Sequence, residues 1–217
     1  MITSWVSELL LLTDEDWARY AFLSEPLVNR ISIDKRIQYS QEATKSAGKL
    51  ALEIKQRFGD IPITQLLKNL NLNLVEKTVQ EGGGFSMFAF FEEPKTITVF
   101  SDNANATDKL IDENGLRGMV GDIKTADLLI AHELYHFFEL IRNDVFSAQQ
   151  RIKVWQIGPF KNVSRIRCLG EIGAMSFARE LLGLTYSPNI FNVLMLYAQN
   201  PVSAERLYMN ILEARNR

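Results

Sequence analysis

Between Asp122 and Arg142 the apolar residues Ala126, Leu129, Ile130, Leu134, Phe137, Phe138 and Ile141 recur at the three- and four-residue intervals of an α-helix. Inside this run stands His132-Glu133-Leu134-Tyr135-His136, which holds the only two histidines of the chain. A helix sets residues four apart on one face with Cβ atoms about 6 Å apart, so both imidazoles can grip one metal ion. The pattern is a strong constraint: the segment is a helix, and its histidine face looks into a space that other elements must close. Glu133 follows the first histidine directly and falls beside such an ion rather than on it, where a carboxylate can take a proton from water held by the metal. These residue types at this spacing point to a metal-assisted hydrolase of the peptidase kind.

A catalytic zinc takes three protein ligands and a water. With no third histidine, the last ligand is a carboxylate or Cys168, the single cysteine. Glu139 lies on the histidine stripe one turn further along, and three ligands from one straight helix cannot enclose a tetrahedral ion. Glu171 is the better candidate, because residues 171–178 read as a helix with small residues at 170, 173, 174 and 178. Small residues let two helices approach closely enough for a short carboxylate to reach a histidine pair. Glu180 fits an ordinary surface position. Cys168, three residues before Glu171, shares its face and reads either as a ligand or as a small core residue. For stabilising an oxyanion, Tyr186 and Tyr197 lie downstream of the third ligand, and the sequence selects neither.

The chain has 217 residues, 47% of them hydrophobic, enough for a substantial core in one decorated domain. Its 24 basic and 26 acidic residues are interspersed, for a net charge of −2, which points to no direct nucleic-acid binding and names no partner. One cysteine excludes an internal disulfide and suits a reducing compartment. No apolar run approaches the 18 or so residues of a membrane span, and no leader is read at the start, so the expectation is a soluble cytoplasmic protein with no membrane partner.

Along the chain, Asp34 to Phe58 reads as a long helix stopped by Gly59, Pro62 to Leu70 as a short one, and Leu72 to Lys77 as a first strand. Phe85 to Phe91 and Lys95 to Phe100 form a hairpin through Glu92-Glu93-Pro94, preceded by the flexible run Gly82-Gly83-Gly84. Ser101 to Asn114, rich in Asn, Asp and Ala, reads as a polar loop, and Asp122 as the cap of the histidine helix. After a mixed stretch from Asn143 to Arg165, helices are expected over Ile166 to Leu182, Asn189 to Gln199 and Pro201 to Arg215, the last capped by Asn200. Residues 1–33 read as short helices around Pro26, an extension of the main domain at 34–186, with 187–217 as helices packing on that domain. The fold class is α+β, mostly helical, with a small mixed sheet or hairpin and the histidine motif on a central helix.

The segment Ala131-His132-Glu133-Leu134-Tyr135-His136 resembles the ImmA/IrrE family of zinc-dependent, gluzincin-like peptidases, as do Glu171, Ala174, Phe177 and Ala178 followed by Glu180-Leu181-Leu182. The resemblance spans roughly residues 40 to 186. It implies a zincin-like domain, His132, His136 and Glu171 as zinc ligands, and Glu133 as the catalytic base. Manganese or another divalent ion is an alternative occupant. It further implies a protein substrate, in that family often a helix-turn-helix DNA-binding repressor. Tyr135 stands where the family has glycine, and Ser101 to Gly121 is longer than its counterpart. Two other classes fit the same residues: a catalytically inactive zincin-like protein that sequesters a regulator, its metal closed by a fourth ligand, and a mobile-element toxin whose residues 1–33 occlude the cleft.

Overall fold

The computed structural model describes residues 1–78 and 88–216. The glycine run at 82–84 and the first half of the strand expected from Phe85 lie outside the described residues. Three α-helices open the chain, α1 (Ile2–Leu9), α2 (Asp14–Leu23) and the long α3 (Ile33–Phe58), with a single 3-10 turn at Val28–Arg30 before the third. Thr13 starts α2 with a capping box, its hydroxyl accepting from the Asp16 N–H while the Asp16 carboxylate accepts from the Thr13 N–H. Gly59 ends α3 as expected, at φ 77°, a backbone state glycine reaches without strain.

Next come α4 (Ile63–Asn69), β1 (Asn73–Lys77), β2 (Ala89–Glu92) and β3 (Thr96–Phe100). β3 is central, parallel to β1 and antiparallel to β2, with Ala89 opposite Val99 and Glu92 opposite Thr96. Its residues Ile97, Thr98 and Val99 are all buried, which is the β-branched composition a covered strand needs. Among the described residues β2 forms the edge of this sheet, and Phe91 meets Phe137 ring to ring at 6.0 Å.

The expected loop at 101–114 is instead a helix, α5 (Ser101–Glu113), followed by the short α6 (Arg117–Val120). Asn and Asp disfavour helix only weakly, and burial of Ala104, Thr107 and Ile111 along one face overrides that preference. The histidine helix, α7, runs Thr125–Ile141 and is buried around most of its circumference, including Leu128, Ile130, Ala131, Leu134, Tyr135 and Phe138. Asp122 does not cap it. The cap comes from α5, where Asp108 accepts from both the Thr125 N–H (3.1 Å) and its hydroxyl (2.8 Å).

The mixed stretch resolves into α8 (Phe146–Gln149) and a second hairpin, β4 (Arg151–Ile157) and β5 (Phe160–Arg165). Three helices complete the chain: α9 (Cys168–Leu181), α10 (Ile190–Gln199) and α11 (Pro201–Arg215). Asn200 caps α11 as expected, its side chain accepting from the Ser203 N–H at 3.0 Å. One large core joins these elements, and both chain ends feed it. Ile2, Val6 and Leu9 from α1 belong to it together with Tyr208 and Ile211 from α11, and Trp5 stacks on Tyr208 at 4.7 Å. A smaller cluster of Phe22, Ile31, Ala43, Ile166, Cys168 and Leu169 lies under the base of the β4–β5 hairpin. Among the described residues no helix is long and apolar enough to cross a membrane.

Candidate metal centre

The four-residue spacing on α7 brings the Nε2 atoms of His132 and His136 to 3.3 Å from each other. α9 crosses this face and presents Glu171 from its first turn, with Oε2 3.3 Å from His132 Nε2 and Oε1 3.7 Å from His136 Nε2. The donor atoms of the three residues all lie within 4.8 Å of one another, a group that could hold a metal ion. Glu139 and Cys168 stand outside it.

Glycines in α9 make the crossing this close. A Cβ added to Gly173 would overlap the Tyr135 phenol, and one added to Gly170 would sit 3.3 Å from the Glu139 carboxylate oxygens. Tyr135 is fully buried, and its hydroxyl is 2.8 Å from the Ser147 hydroxyl on α8. Burial, with the charge of nearby Glu139, pushes its phenol pKa up against the opposing Ser147 hydrogen bond. A large residue at 135 is thus matched by an absent side chain at 173.

Glu139 Oε2 lies 3.4 Å from His136 Nδ1, the ring nitrogen turned away from the donor cluster. Such a partner fixes ring orientation and tautomer. Burial opposes the charge of Glu139, but hydrogen bonds from His136 and Ser147 outweigh it and hold the carboxyl below its usual range. Burial likewise opposes a charged His136, and the Glu139 hydrogen bond with the charges of Glu171, Glu133 and Glu139 overcomes it, for a net rise. His132 has no equivalent: its Nδ1 is buried with no hydrogen-bond partner among the described residues, so no second partner behind the ring orients it as Glu139 orients His136. The His132 hydrogen bond, then the charge of both imidazoles, holds the Glu171 carboxyl down at about 2.

Glu133 is buried to 9% exposure and lines a cleft of about 380 Å³ together with His132 and Glu171. Phe88, Ala89, Met175 and Phe191 give this cleft apolar walls, and Asn189 and Asn192 give it polar ones. Tyr186 does not enter it, because its hydroxyl donates to the Val120 carbonyl at 2.6 Å. Tyr197 packs edge-on against Trp5 in the core. Tyr20 is the tyrosine that lines the cleft, and no local signal in the sequence marks it.

The N-terminal segment also holds α9 in place. Asp14 takes a two-point ion pair from Arg179, at 2.6 and 3.0 Å. Glu25 is buried at 3% exposure, with Oε1 accepting from the Leu27 N–H (3.0 Å) and Oε2 from the Cys168 N–H (3.2 Å). It therefore caps the first turn of α9, the turn that carries Glu171. Cys168 is buried there, and burial together with the neighbouring Glu25 pushes its thiol pKa up. Cys168 borders the same cleft, but its sulfur is not among the clustered donor atoms, which come from His132, His136 and Glu171. No family model, curated protein or solved structure matches the chain.

Proposed function

We propose that this chain is a metallopeptidase of the zincin type, a divergent relative of the ImmA/IrrE enzymes, that cleaves a peptide bond in a partner protein. One observation carries the reading: the spacing of the His132, His136 and Glu171 donors. A tetrahedral ion with bonds of about 2.0–2.1 Å has ligand-to-ligand edges of roughly 3.3 Å, and the separations here are 3.3, 3.3 and 3.7 Å. Two imidazoles and one carboxylate are the donor set of zinc, with manganese the alternative. The group numbers three residues among those described, whereas a purely structural zinc is closed by four. That count favours a site with an open position over the inactive, sequestering reading.

A divalent ion bound there supplies Lewis acidity toward a substrate carbonyl and acidifies water. Glu133, adjacent in sequence to a ligand and facing the same cleft, takes the proton of the attacking water and delivers it to the leaving amine. Glu139 keeps the His136 ring turned so that Nε2 faces the other two donors, where it would hold the ion. β2, an edge strand among the described residues, supports substrate binding because its Ala89 lines the cleft, so an extended peptide can pair with its backbone. The resemblance makes a DNA-binding repressor the first substrate to try.

Metal analysis of purified protein, combined with Glu133→Gln and a proteome-derived peptide library, tests the reading. Wild type is expected to carry one equivalent of metal and to cut. The variant keeps the metal and loses at least about a hundredfold in rate, the lower bound of the range for general-base catalysis. Absence of stoichiometric metal from wild type, or full activity in the variant, sinks the proposal.

A further inference from the structure

Residues 145–170 contain Arg151, Lys153, Lys161, Arg165 and Arg167 and no acidic residue. The interspersed charges of the whole chain conceal this local excess. All five cations are exposed, and the first four belong to the β4–β5 hairpin.

The strand register sorts the hairpin into two unlike faces. Cross-strand partners share a face and successive pairs alternate. Arg151 with Arg165, Lys153 with Val163, and Gln156 with Lys161 therefore stand on one side; Ile152 with Ser164, Trp155 with Asn162, and Ile157 with Phe160 stand on the other. The irregularity between Lys153 and Trp155 does the sorting, because an unbroken alternation would have put Trp155 and Ile157 on the Lys153 side. At the base, Ile152 packs on the smaller core cluster, and Arg30 donates to the Val154 carbonyl at 2.6 Å. Beyond the base the apolar face is open: Trp155 is 47% exposed, Ile157 73% and Phe160 72%.

We propose that this hairpin docks the protein on an anionic phospholipid surface. The segregation of its faces selects this occupant. Single-stranded nucleic acid is held by cations and stacking aromatics that line one groove, and an acidic protein partner likewise meets charge and apolar contact within one patch. A lipid interface takes the two on opposite sides, with the aromatic and aliphatic face sunk at the boundary of headgroups and acyl chains and the cations held in the anionic headgroup layer. The attachment is peripheral and does not depend on the peptidase reading.

Trp5 and Trp17 are buried at 8% and 4% exposure, so a change in tryptophan emission on docking reports Trp155. The test is cosedimentation of the full chain with vesicles of phosphatidylcholine alone or mixed with phosphatidylglycerol. Binding is expected to the mixed vesicles only, with blue-shifted emission, and with release at about 1 M salt, where the screening length falls to about 3 Å. Lys161→Gln weakens binding roughly fivefold, and the double variant Ile157→Asp, Phe160→Asp abolishes it. Thermal melts of these variants by circular dichroism match wild type, since the altered side chains are exposed. Failure of wild type to bind the mixed vesicles overturns the proposal, as does equal binding by the double variant. Hairpin-dependent binding of a single-stranded oligonucleotide without vesicle binding overturns it as well.

Discussion

The crossing of α7 and α9 and the β4–β5 hairpin are both rich in apolar and aromatic side chains, yet they use them in opposite ways. At the crossing, Tyr135 and Phe177 are fully buried and glycine gives way wherever a large neighbour needs room. At the hairpin, Trp155, Ile157 and Phe160 stay in water. Close packing transmits any added volume to its neighbours and fixes donor atoms to fractions of an ångström. An open strip has no such neighbours and tolerates change. The candidate metal centre therefore sits where the chain is least forgiving, and the surface available for association sits where it is most forgiving.

The largest expected effect breaks the crossing itself. Gly173→Ala drives a methyl into the Tyr135 phenol and is expected to lower unfolding free energy by about 3 kcal/mol. In the same urea titration Val163→Ala on the hairpin changes it by less than about 0.5 kcal/mol. Comparable losses from the two variants would erase the contrast.

A smaller effect is expected where the crossing is held from outside. Glu25→Gln keeps the side-chain volume but turns one carboxylate acceptor into an amide that cannot accept, leaving a buried N–H of Leu27 or Cys168 without its bond. The cost is about 2 kcal/mol, accompanied by weaker zinc binding in calorimetry because the turn that carries Glu171 loses its cap. Unchanged zinc affinity would show that the N-terminal segment supports the fold without steering the ligand.

The smallest effect comes from the exposed end of α7, where a side-chain hydrogen bond from Arg142 holds the Asp144 carboxyl at about 2. A folded pKa below the ordinary 3.8 means stability that is present above pH 3.8 and lost as pH falls toward about 2. Asp144 is 66% exposed, so solvent screens the pair and its contribution is about 0.5 kcal/mol. Asp144→Asn removes that part of the acid limb in thermal melts and leaves the curve above pH 5 displaced by no more than this amount.

Features written within one helical turn are legible in the sequence. The stop at Gly59, the cap at Asn200 and the common face of His132 and His136 all follow from local spacing. The small residues at 170 and 173 announced a close helix approach, and the structure supplies what they approach, Glu139 and Tyr135. Two local readings failed because distant residues won. The segment Ser101–Glu113 is helical because the core accepts Ala104 and Ile111, and α7 is capped by Asp108 rather than Asp122.

The sequence by itself determined that two imidazoles share a helix face with a carboxylate beside them, because helical periodicity acts over a few residues and needs no partner. Only the tertiary structure decided that Glu171 closes the group, that Glu25 caps the turn bearing it across 143 residues of sequence, and that Tyr20 lines the same cleft. Those outcomes depend on which side chains fill which gaps between elements remote in the chain, and packing of that kind leaves no periodic trace along it.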